Sequence, residues 1–97
     1  MSYVLITGAS RGIGKGIALS LAKAGYNLVL TCKANTDSLQ KVADEARNYG
    51  STVHTYTGDI SSIEVCEQLF SYIKENNITI DILINNAGIS KQFRTRN

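Results

Sequence analysis

The hydrophobic positions change their period along the chain, and this change predicts strands that alternate with helices. Short apolar runs bounded by polar or glycine residues are typical of buried strands. Between these runs, apolar residues recur every three or four positions, as on one face of an amphipathic helix. The four predicted strands cover residues 3–7, 27–32, 52–57 and 80–84, and the first helix covers residues 13–24.

Helix-terminating and helix-capping residues support the same division. Gly25 and Gly50 follow the first and second helical segments and predict their C-terminal ends. Residues 35–37 (Asn-Thr-Asp) predict the N-cap of the second helix, and Ser61 with Glu64 predicts a capping box for the third. The predicted buried stripes are Leu39, Val42, Ala43, Ala46 and Tyr49 in the second helix, and Ile63, Cys66, Leu69, Phe70 and Ile73 in the third.

Strand–helix–strand repetition with short connections predicts parallel strands joined by right-handed crossovers. Four strands and three helices in this order predict an α/β protein with a partial Rossmann (doubly wound) fold and strand order 3-2-1-4. Residues 1–89 form this predicted domain. The periodicity is lost after Ile89, so residues 90–97 are expected to be an irregular basic tail.

Composition and charge exclude several functional classes. The chain has 97 residues, 43% of them hydrophobic, which is ordinary for a globular domain. Three of its 10 basic residues lie in the tail, so residues 1–90 carry seven basic and eight acidic side chains and a net charge of −1. No nucleic-acid partner is expected from such a surface. No apolar run is long enough for a membrane span, and no secretory signal is apparent.

The two cysteines, Cys32 and Cys66, are too few and too far apart for a disulfide framework or a metal-ligand pair. We expect both to be small buried or half-buried apolar residues in a reducing compartment, which favours a cytoplasmic location. His54, the only histidine, is expected to face solvent from the third strand. No metal site is predicted.

Residues 7–14, TGASRGIG, connect the first strand to the first helix. Such a turn exposes backbone N–H groups at the positive end of the helix dipole, where phosphate binds. Gly8 allows the turn, Gly12 lets the backbone approach a pyrophosphate, and Gly14 lets the helix pack on the strand. The spacing differs from a P-loop, since Gly16 occupies the position of its Ser or Thr. A tight turn that binds no ligand is the alternative.

The 7–14 segment resembles the TGxxxGxG cofactor motif of the short-chain dehydrogenase/reductase family at every position. Residues 85–88 (NNAG) match the family's motif after its fourth strand, and residues 58–60 are similar to the segment that carries its aspartate after the third. The resemblance covers residues 1–89 and is strongest to the 3-oxoacyl-(acyl carrier protein) reductase type. It implies the nicotinamide-dinucleotide-binding half of an oxidoreductase.

The resemblance also implies which residues contact the cofactor. Backbone N–H groups near Ile13 would donate to phosphate, Asp59 and Ile60 would receive the adenine, and residues 85–88 would line the nicotinamide ribose. Asn86 also holds the sheet together in this family, so a purely structural role is the alternative. The candidate cofactor-binding residues are Gly8, Ser10, Arg11, Gly12, Ile13, Gly14, Lys33, Asp59, Ile60, Asn86, Ala87 and Gly88.

The end of the second strand favours NADP(H) over NAD(H). An NAD site usually places an acid there to bind the adenine ribose, and this chain has Cys32 instead. Lys33 and Arg11 could pair with a 2′-phosphate, and Ser10 could add a hydroxyl donor. A surface lysine with no ligand is the alternative for Lys33.

The family's chemistry requires a Ser and a Tyr-x-x-x-Lys pair after the NNAG motif, with the tyrosine as general acid/base. None of the five tyrosines is followed by a lysine four residues later, so no catalytic residue is predicted. We therefore expect a cofactor-binding N-terminal fragment of an NADP(H)-dependent short-chain oxidoreductase that is inactive alone. The alternatives are a non-catalytic nucleotide-binding module and a truncated remnant.

Truncation would leave the fourth strand, residues 80–84, at the edge of the sheet. The run Ile-Asp-Ile-Leu-Ile is mostly apolar. Apolar edge strands pair readily with other chains. We expect a homo-oligomer that forms through this edge.

Overall fold

The computed structural model describes residues 2–86 and shows strands and helices in strict alternation. Its elements are β1 (Ser2–Thr7), α1 (Gly12–Lys23), β2 (Asn27–Cys32), α2 (Thr36–Asn48), β3 (Val53–Thr57), α3 (Ile63–Glu75) and β4 (Thr79–Asn85). The predicted elements are confirmed, with ends that differ by one or two residues. Two candidate site residues, Ala87 and Gly88, and the predicted basic tail lie outside the described residues.

The four strands form one parallel sheet in the order β3-β2-β1-β4, which confirms the predicted partial Rossmann topology. Because all strands run the same way, their carboxyl ends lie along a single edge. Thr7 pairs with Asn85 there, and Cys32 pairs with Thr57. The loops that follow the strands are therefore brought together at this edge, where ligands bind in open α/β sheets.

Each face of the sheet has its own core. On one face, α1 and α2 cover the side chains of residues such as Ile6 and Leu30, which have no exposed surface. On the other face, α3 places Leu69 and Ile73 against Leu5 and its neighbours. Each fully buried side chain of this size contributes about 1.5–3 kcal/mol to folding. The two cores hold the strand ends in fixed positions.

The predicted buried stripes are correct at their centres and wrong at their margins. Tyr49 is 45% exposed because it lies one residue beyond α2, where its ring packs 5.2 Å from the Lys23 ammonium. Ile63 and Phe70 of α3 are 79% and 61% exposed. They lie on a flank of the helix that no described element covers, whereas Leu69 faces the sheet.

The predicted capping box at Ser61 is wrong by one residue. The N-cap of α3 is Ser62, whose hydroxyl oxygen accepts from the Val65 N–H at 3.5 Å. Ser61 instead donates its N–H and its hydroxyl to Asp59 Oδ1, at 3.0 and 2.7 Å. Asp59 thus forms an Asx-type turn that shifts the start of the helix.

His54 does not face solvent as predicted. It is half-buried under α3, and its Nδ1 lies 2.7 Å from the Tyr72 hydroxyl oxygen. Its ring packs edge-on against those of Tyr3 and Tyr72, each with a centroid distance of 5.7 Å. The histidine joins β3 to α3 and is a structural residue.

Strand β4 is paired on one side only among residues 2–86, as expected for an edge strand. Its register with β1 shifts after the pair Tyr3–Ile80, because Val4 pairs with Ile82 and Asp81 is left as an extra residue. This bulge returns Ile80 and Leu83 to the same face of the sheet. Ile82 and Leu83 are 45% and 61% exposed, on opposite faces.

Candidate functional site

A cleft of about 660 Å³ lies at the carboxyl edge of the sheet, beyond the ends of the strands. This volume falls within the range of small-molecule and cofactor sites. Its lining comes from β2 and β4 and from the segments that follow β1, β2, β3 and β4. The lining residues are Gly8, Ser10, Arg11, Gly12, Thr31, Cys32, Lys33, Gly58, Asp59, Ile60, Ser61, Asn85 and Asn86.

The start of α1 gives this cleft an end whose chemistry suits an anion. Gly12 has a φ of +61°, and a Cβ added to it would have no atom within 4 Å. Its backbone is therefore open to close approach from the cleft. The N-cap residue Arg11 makes no side-chain hydrogen bond to the first turn, and that turn contains no acidic residue. The helix N-terminus keeps donors and positive charge available for a phosphate.

Gly14 lies behind the turn and does not line the cleft. A Cβ added there would collide with the Gly8 carbonyl oxygen and would lie 2.7 Å from Asn86 Nδ2. The absence of a side chain thus lets α1 pack directly on the turn, as the sequence predicts. The neighbouring Ile13 is 71% exposed and is not part of the lining.

Two side-chain hydrogen bonds join the turn after β1 to the end of β4. Asn86 Nδ2 donates to the Gly8 carbonyl oxygen at 3.0 Å. The Thr7 hydroxyl donates to Asn85 Oδ1 at 2.9 Å. Both bonds are part-buried and span 78 positions of sequence. They hold the two walls of the cleft together, which gives Asn86 the structural role that the sequence left open.

Two backbone hydrogen bonds fix the opposite wall. The Ala9 N–H donates to the Thr31 carbonyl oxygen, and the Gly58 N–H donates to the Cys32 carbonyl oxygen, both at 2.9 Å. The turn after β1, the end of β2 and the turn after β3 are therefore linked in series. The cleft has a preformed backbone, as ligand sites usually do.

The charged side chains of the cleft are two cations and one carboxylate, from Arg11, Lys33 and Asp59. Lys33 Nζ lies 3.8 Å from Asp59 Oδ2, and the two side chains are 78% and 45% exposed. An exposed ion pair of this kind contributes about 0–1 kcal/mol. Lys33 can therefore exchange this contact for a ligand phosphate at little cost.

Cys32 occupies the end of β2 and lines the cleft. It is only 4% exposed, and its Sγ lies 3.8 Å from the Thr57 hydroxyl oxygen. Both cysteines are free, with Cys32 buried and Cys66 half-buried, as predicted. The end of β2 therefore contributes a thiol and no carboxylate to the cleft.

The structure brings most of the predicted site residues to one cleft; whether they bind a cofactor stays a prediction. Sequence reasoning missed Thr31, Gly58 and Ser61, which line it as well. A signal was available, because each of them lies at or just after the carboxyl end of a parallel strand. The predicted residues that line the cleft are Gly8, Ser10, Arg11, Gly12, Lys33, Asp59, Ile60 and Asn86.

Neither a metal-binding cluster nor a membrane-spanning helix occurs in residues 2–86. Residues 2–86 contain no cluster of three or more His, Cys, Asp or Glu side chains that could hold a metal ion. None of the three helices in this part has the length and apolar character needed to cross a membrane.

Comparison with known proteins identifies relatives over nearly the whole chain. Residues 2–97 match the sequence family described as short chain dehydrogenase. A short chain dehydrogenase/reductase of Gibberella zeae is 39% identical over 89 residues, which are 92% of this chain and 32% of the relative. A 3-oxoacyl-(acyl-carrier-protein) reductase of Staphylococcus epidermidis is 33% identical over 87 residues, 90% of this chain and 36% of the relative.

A solved structure gives the same result. An alcohol dehydrogenase from the archaeon Thermococcus sibiricus, complexed with 5-hydroxy-NADP, superimposes with a TM-score of 0.77 at 37% identity. The match covers 86% of this chain and 35% of that one. The 97 residues thus span about a third of the length of these relatives.

Proposed function

The chain belongs to the short chain dehydrogenase family, and we propose that its function is to bind NADP(H) as the cofactor-binding part of an oxidoreductase. One observation carries this proposal. The uncapped N-terminus of α1 and the open backbone of Gly12 lie at the end of a cleft large enough for a nucleotide. A pyrophosphate fits this site because its charge matches the helix dipole and the exposed N–H groups.

The proposed binding mode uses the order of loops along the cleft. The turn at Gly12 would hold the pyrophosphate, the segment with Asp59 and Ile60 would receive the adenine, and the segment from Asn86 would line the nicotinamide ribose. All three segments lie on one cleft edge. Ala87 and Gly88 remain part of the proposal as continuations of the last segment.

The preference for NADP(H) rests on charge at the end of β2. Arg11 and Lys33 offer two cations, Ser10 offers a hydroxyl, and Cys32 leaves the position without a carboxylate. Hydrogen bonds between cations and phosphate are about twice as strong as neutral ones. The NADP derivative bound to the Thermococcus sibiricus relative is consistent with this preference.

We propose oxidoreductase activity for the family to which the chain belongs, and not for these 97 residues alone. A nicotinamide nucleotide supplies hydride to a carbonyl or accepts it from an alcohol. This sequence contains no tyrosine with a lysine four residues later, so it offers no matching general acid/base. We therefore propose that the chain binds the cofactor and does not turn over a ketone by itself.

Calorimetric titration of the 97-residue chain with NADPH and with NADH tests the binding proposal. We expect both to bind, with NADPH tighter by about tenfold or more, equivalent to about 1.4 kcal/mol. Equal affinities would show the NADP(H) preference to be wrong. Binding of neither nucleotide would show the function itself to be wrong.

A hydride-transfer assay with NADPH and a 3-oxoacyl thioester tests the second part. We expect no turnover above the rate without protein. Measurable turnover would contradict the proposed inactivity and would leave the binding proposal intact.

Two further elements of the proposal concern the surroundings of the protein. We propose a cytoplasmic location, which the free Cys32 and Cys66 favour. We also propose that the 97-residue chain self-associates through β4, because the outer edge of β4 is unpaired in residues 2–86 and its side chains are largely apolar.

A further inference from the structure

The Asp59 carboxylate lines the cleft, and its two oxygens have different partners. Oδ1 accepts hydrogen bonds from the Ser61 N–H at 3.0 Å and from the Ser61 hydroxyl at 2.7 Å. Oδ2 lies 3.8 Å from Lys33 Nζ in an exposed ion pair, which is a weak restraint. Ser61 therefore limits how far the carboxylate can turn, whereas Lys33 limits it little.

Other bonds hold the backbone that carries this carboxylate. The Ser62 N–H donates to the Asp59 carbonyl oxygen at 3.0 Å, and the Cys66 thiol donates to the Ile60 carbonyl oxygen at 2.9 Å. Both bonds connect the turn after β3 to the start of α3. Because neither bond involves the Ser61 hydroxyl, losing that hydroxyl loosens the carboxylate and leaves the turn in place.

The orientation of the carboxylate determines which purine base it can recognise. In its ionised form a carboxylate only accepts hydrogen bonds, so the ligand group opposite it must donate. Adenine presents an exocyclic amino group, which donates, whereas hypoxanthine presents a carbonyl oxygen at the same ring position. A polar group that is fixed in place rejects the analogue that cannot pair with it. A group that can turn away rejects that analogue less.

We infer that Ser61 is a positioning residue for base recognition, because its hydroxyl holds the Asp59 carboxylate where it accepts from the adenine amino group. The inference rests on the proposed function, in which Asp59 and Ile60 receive the adenine. It adds the residue that makes this segment selective among purines. Ser61 acts through Asp59 and is not itself required to touch the base.

The neighbouring Ser62 offers a matched control. It is the N-cap of α3, where its hydroxyl oxygen accepts from the Val65 N–H at 3.5 Å, and it is not part of the cleft lining. Ser62→Ala removes a hydroxyl one position away and weakens the cap, but both bonds from Ser61 to Asp59 remain. This variant separates a loss of stability from a loss of positioning.

Calorimetric titration with NADPH and with its hypoxanthine analogue tests the inference, and the measured quantity is the ratio of the two affinities. We expect the wild type to prefer NADPH by about tenfold or more. Ser61→Ala should narrow this ratio by about threefold or more, because one of the two bonds to Oδ1 is lost. Ser62→Ala should leave the ratio unchanged, since a structural defect weakens the binding of both nucleotides alike.

A second pair of variants keeps the shape of the side chain constant. Ser61→Thr retains the hydroxyl and should keep the wild-type ratio, whereas Ser61→Val, with the same shape, should narrow it. Ser61 is exposed, so the additional methyl groups have room. In an Asp59→Ala background, Ser61→Ala should have no further effect, because the hydroxyl acts through that carboxylate. Circular dichroism checks that each variant is folded.

The outcomes distinguish this inference from the proposed function. A Ser61→Ala ratio equal to that of the wild type would overturn the inference and leave NADPH binding intact. Equal narrowing by Ser62→Ala, or equal ratios for Ser61→Thr and Ser61→Val, would overturn it as well. A further narrowing in the Asp59→Ala background would overturn the action through Asp59. A chain that binds neither nucleotide would overturn the proposed function together with this inference.

Discussion

Gly14 shows how strongly a single position can be constrained at the residue scale. It does not line the cleft, yet α1 can lie against the Gly8 carbonyl only because position 14 carries no side chain. Gly16 lies half a turn further along the same helix and meets no atom within 4 Å of an added Cβ. Position 14 therefore excludes a side chain, whereas position 16 has room for one.

We expect Gly14→Ala to lower the free energy of unfolding by about 1–3 kcal/mol, because its methyl group overlaps backbone atoms that cannot move aside. Gly16→Ala should leave stability unchanged or raise it by up to about 1 kcal/mol, because alanine favours the helix. Urea unfolding of both variants measures the difference. A Gly14→Ala protein as stable as Gly16→Ala would contradict the packing described here.

Lys33 is the residue on which cofactor choice is expected to depend. We expect Lys33→Met to weaken NADPH binding by about tenfold or more and to leave NADH binding unchanged, because only NADPH carries the 2′-phosphate. Lys41→Met, on the exposed face of α2, is the matched control. Calorimetry on both variants checks this. An equal loss for the two nucleotides would assign Lys33 a role unrelated to the 2′-phosphate.

Site residues were predictable where a backbone requirement restricts the residue type. The glycines of residues 7–14 could be recognised from sequence because turns, close approach and helix packing each exclude side chains. The residue types of Thr31 and Ser61 gave no such signal, because many residue types can line a cleft, and only their position near the strand ends pointed to the site. Ser61 also illustrates a competition between neighbours, since Asp59 binds it and leaves Ser62 to cap α3.

At the scale of elements, α3 departs most from its prediction. Helical periodicity identifies apolar positions but not which of them a sheet covers. Leu69 and Ile73 face the sheet, whereas Ile63 and Phe70 lie on a flank whose exposure depends on what packs beside the helix. The spacing of apolar residues within one helix does not show which neighbouring elements will cover them.

The packing of α3 on β3 includes a hydrogen bond between the Tyr72 hydroxyl and His54, and removing this hydroxyl tests how much the contact contributes to stability. We expect Tyr72→Phe to lower the free energy of unfolding by about 1 kcal/mol, because the part-buried bond to His54 Nδ1 is lost. Tyr49→Phe, at an exposed position, should change it by less than about 0.5 kcal/mol. Thermal unfolding compares the two. Equal stability of both variants would contradict a stabilising role for this bond.

For the molecule as a whole, strand order was the most predictable property. Right-handed crossovers and short connections leave few arrangements for four parallel strands, and the observed order 3-2-1-4 is the expected one. The edge position of β4 follows directly from that order. The bulge at Asp81 does not follow from the strand order, because it depends on how β1 and β4 fit side by side.

Cofactor binding should be visible in global stability. Because a ligand that binds only the folded state stabilises it, NADPH at a hundred times its dissociation constant should add about 2.7 kcal/mol. The measurement is thermal unfolding with and without NADPH, with NADH at the same concentration as a comparison. We expect the larger rise with NADPH. An unchanged midpoint with both nucleotides would contradict binding at the cleft.

The bonds from Thr7 to Asn85 and from Asn86 to Gly8 can form only late during synthesis of the chain. The glycine turn leaves the ribosome early, but its partners follow 78 positions later. During that interval β1 can pair only with β2 among the described strands, since β2 is made next and β4 is the last of these four. The glycine turn of the nascent polypeptide therefore gains this side-chain contact only after the amide of Asn86 has emerged.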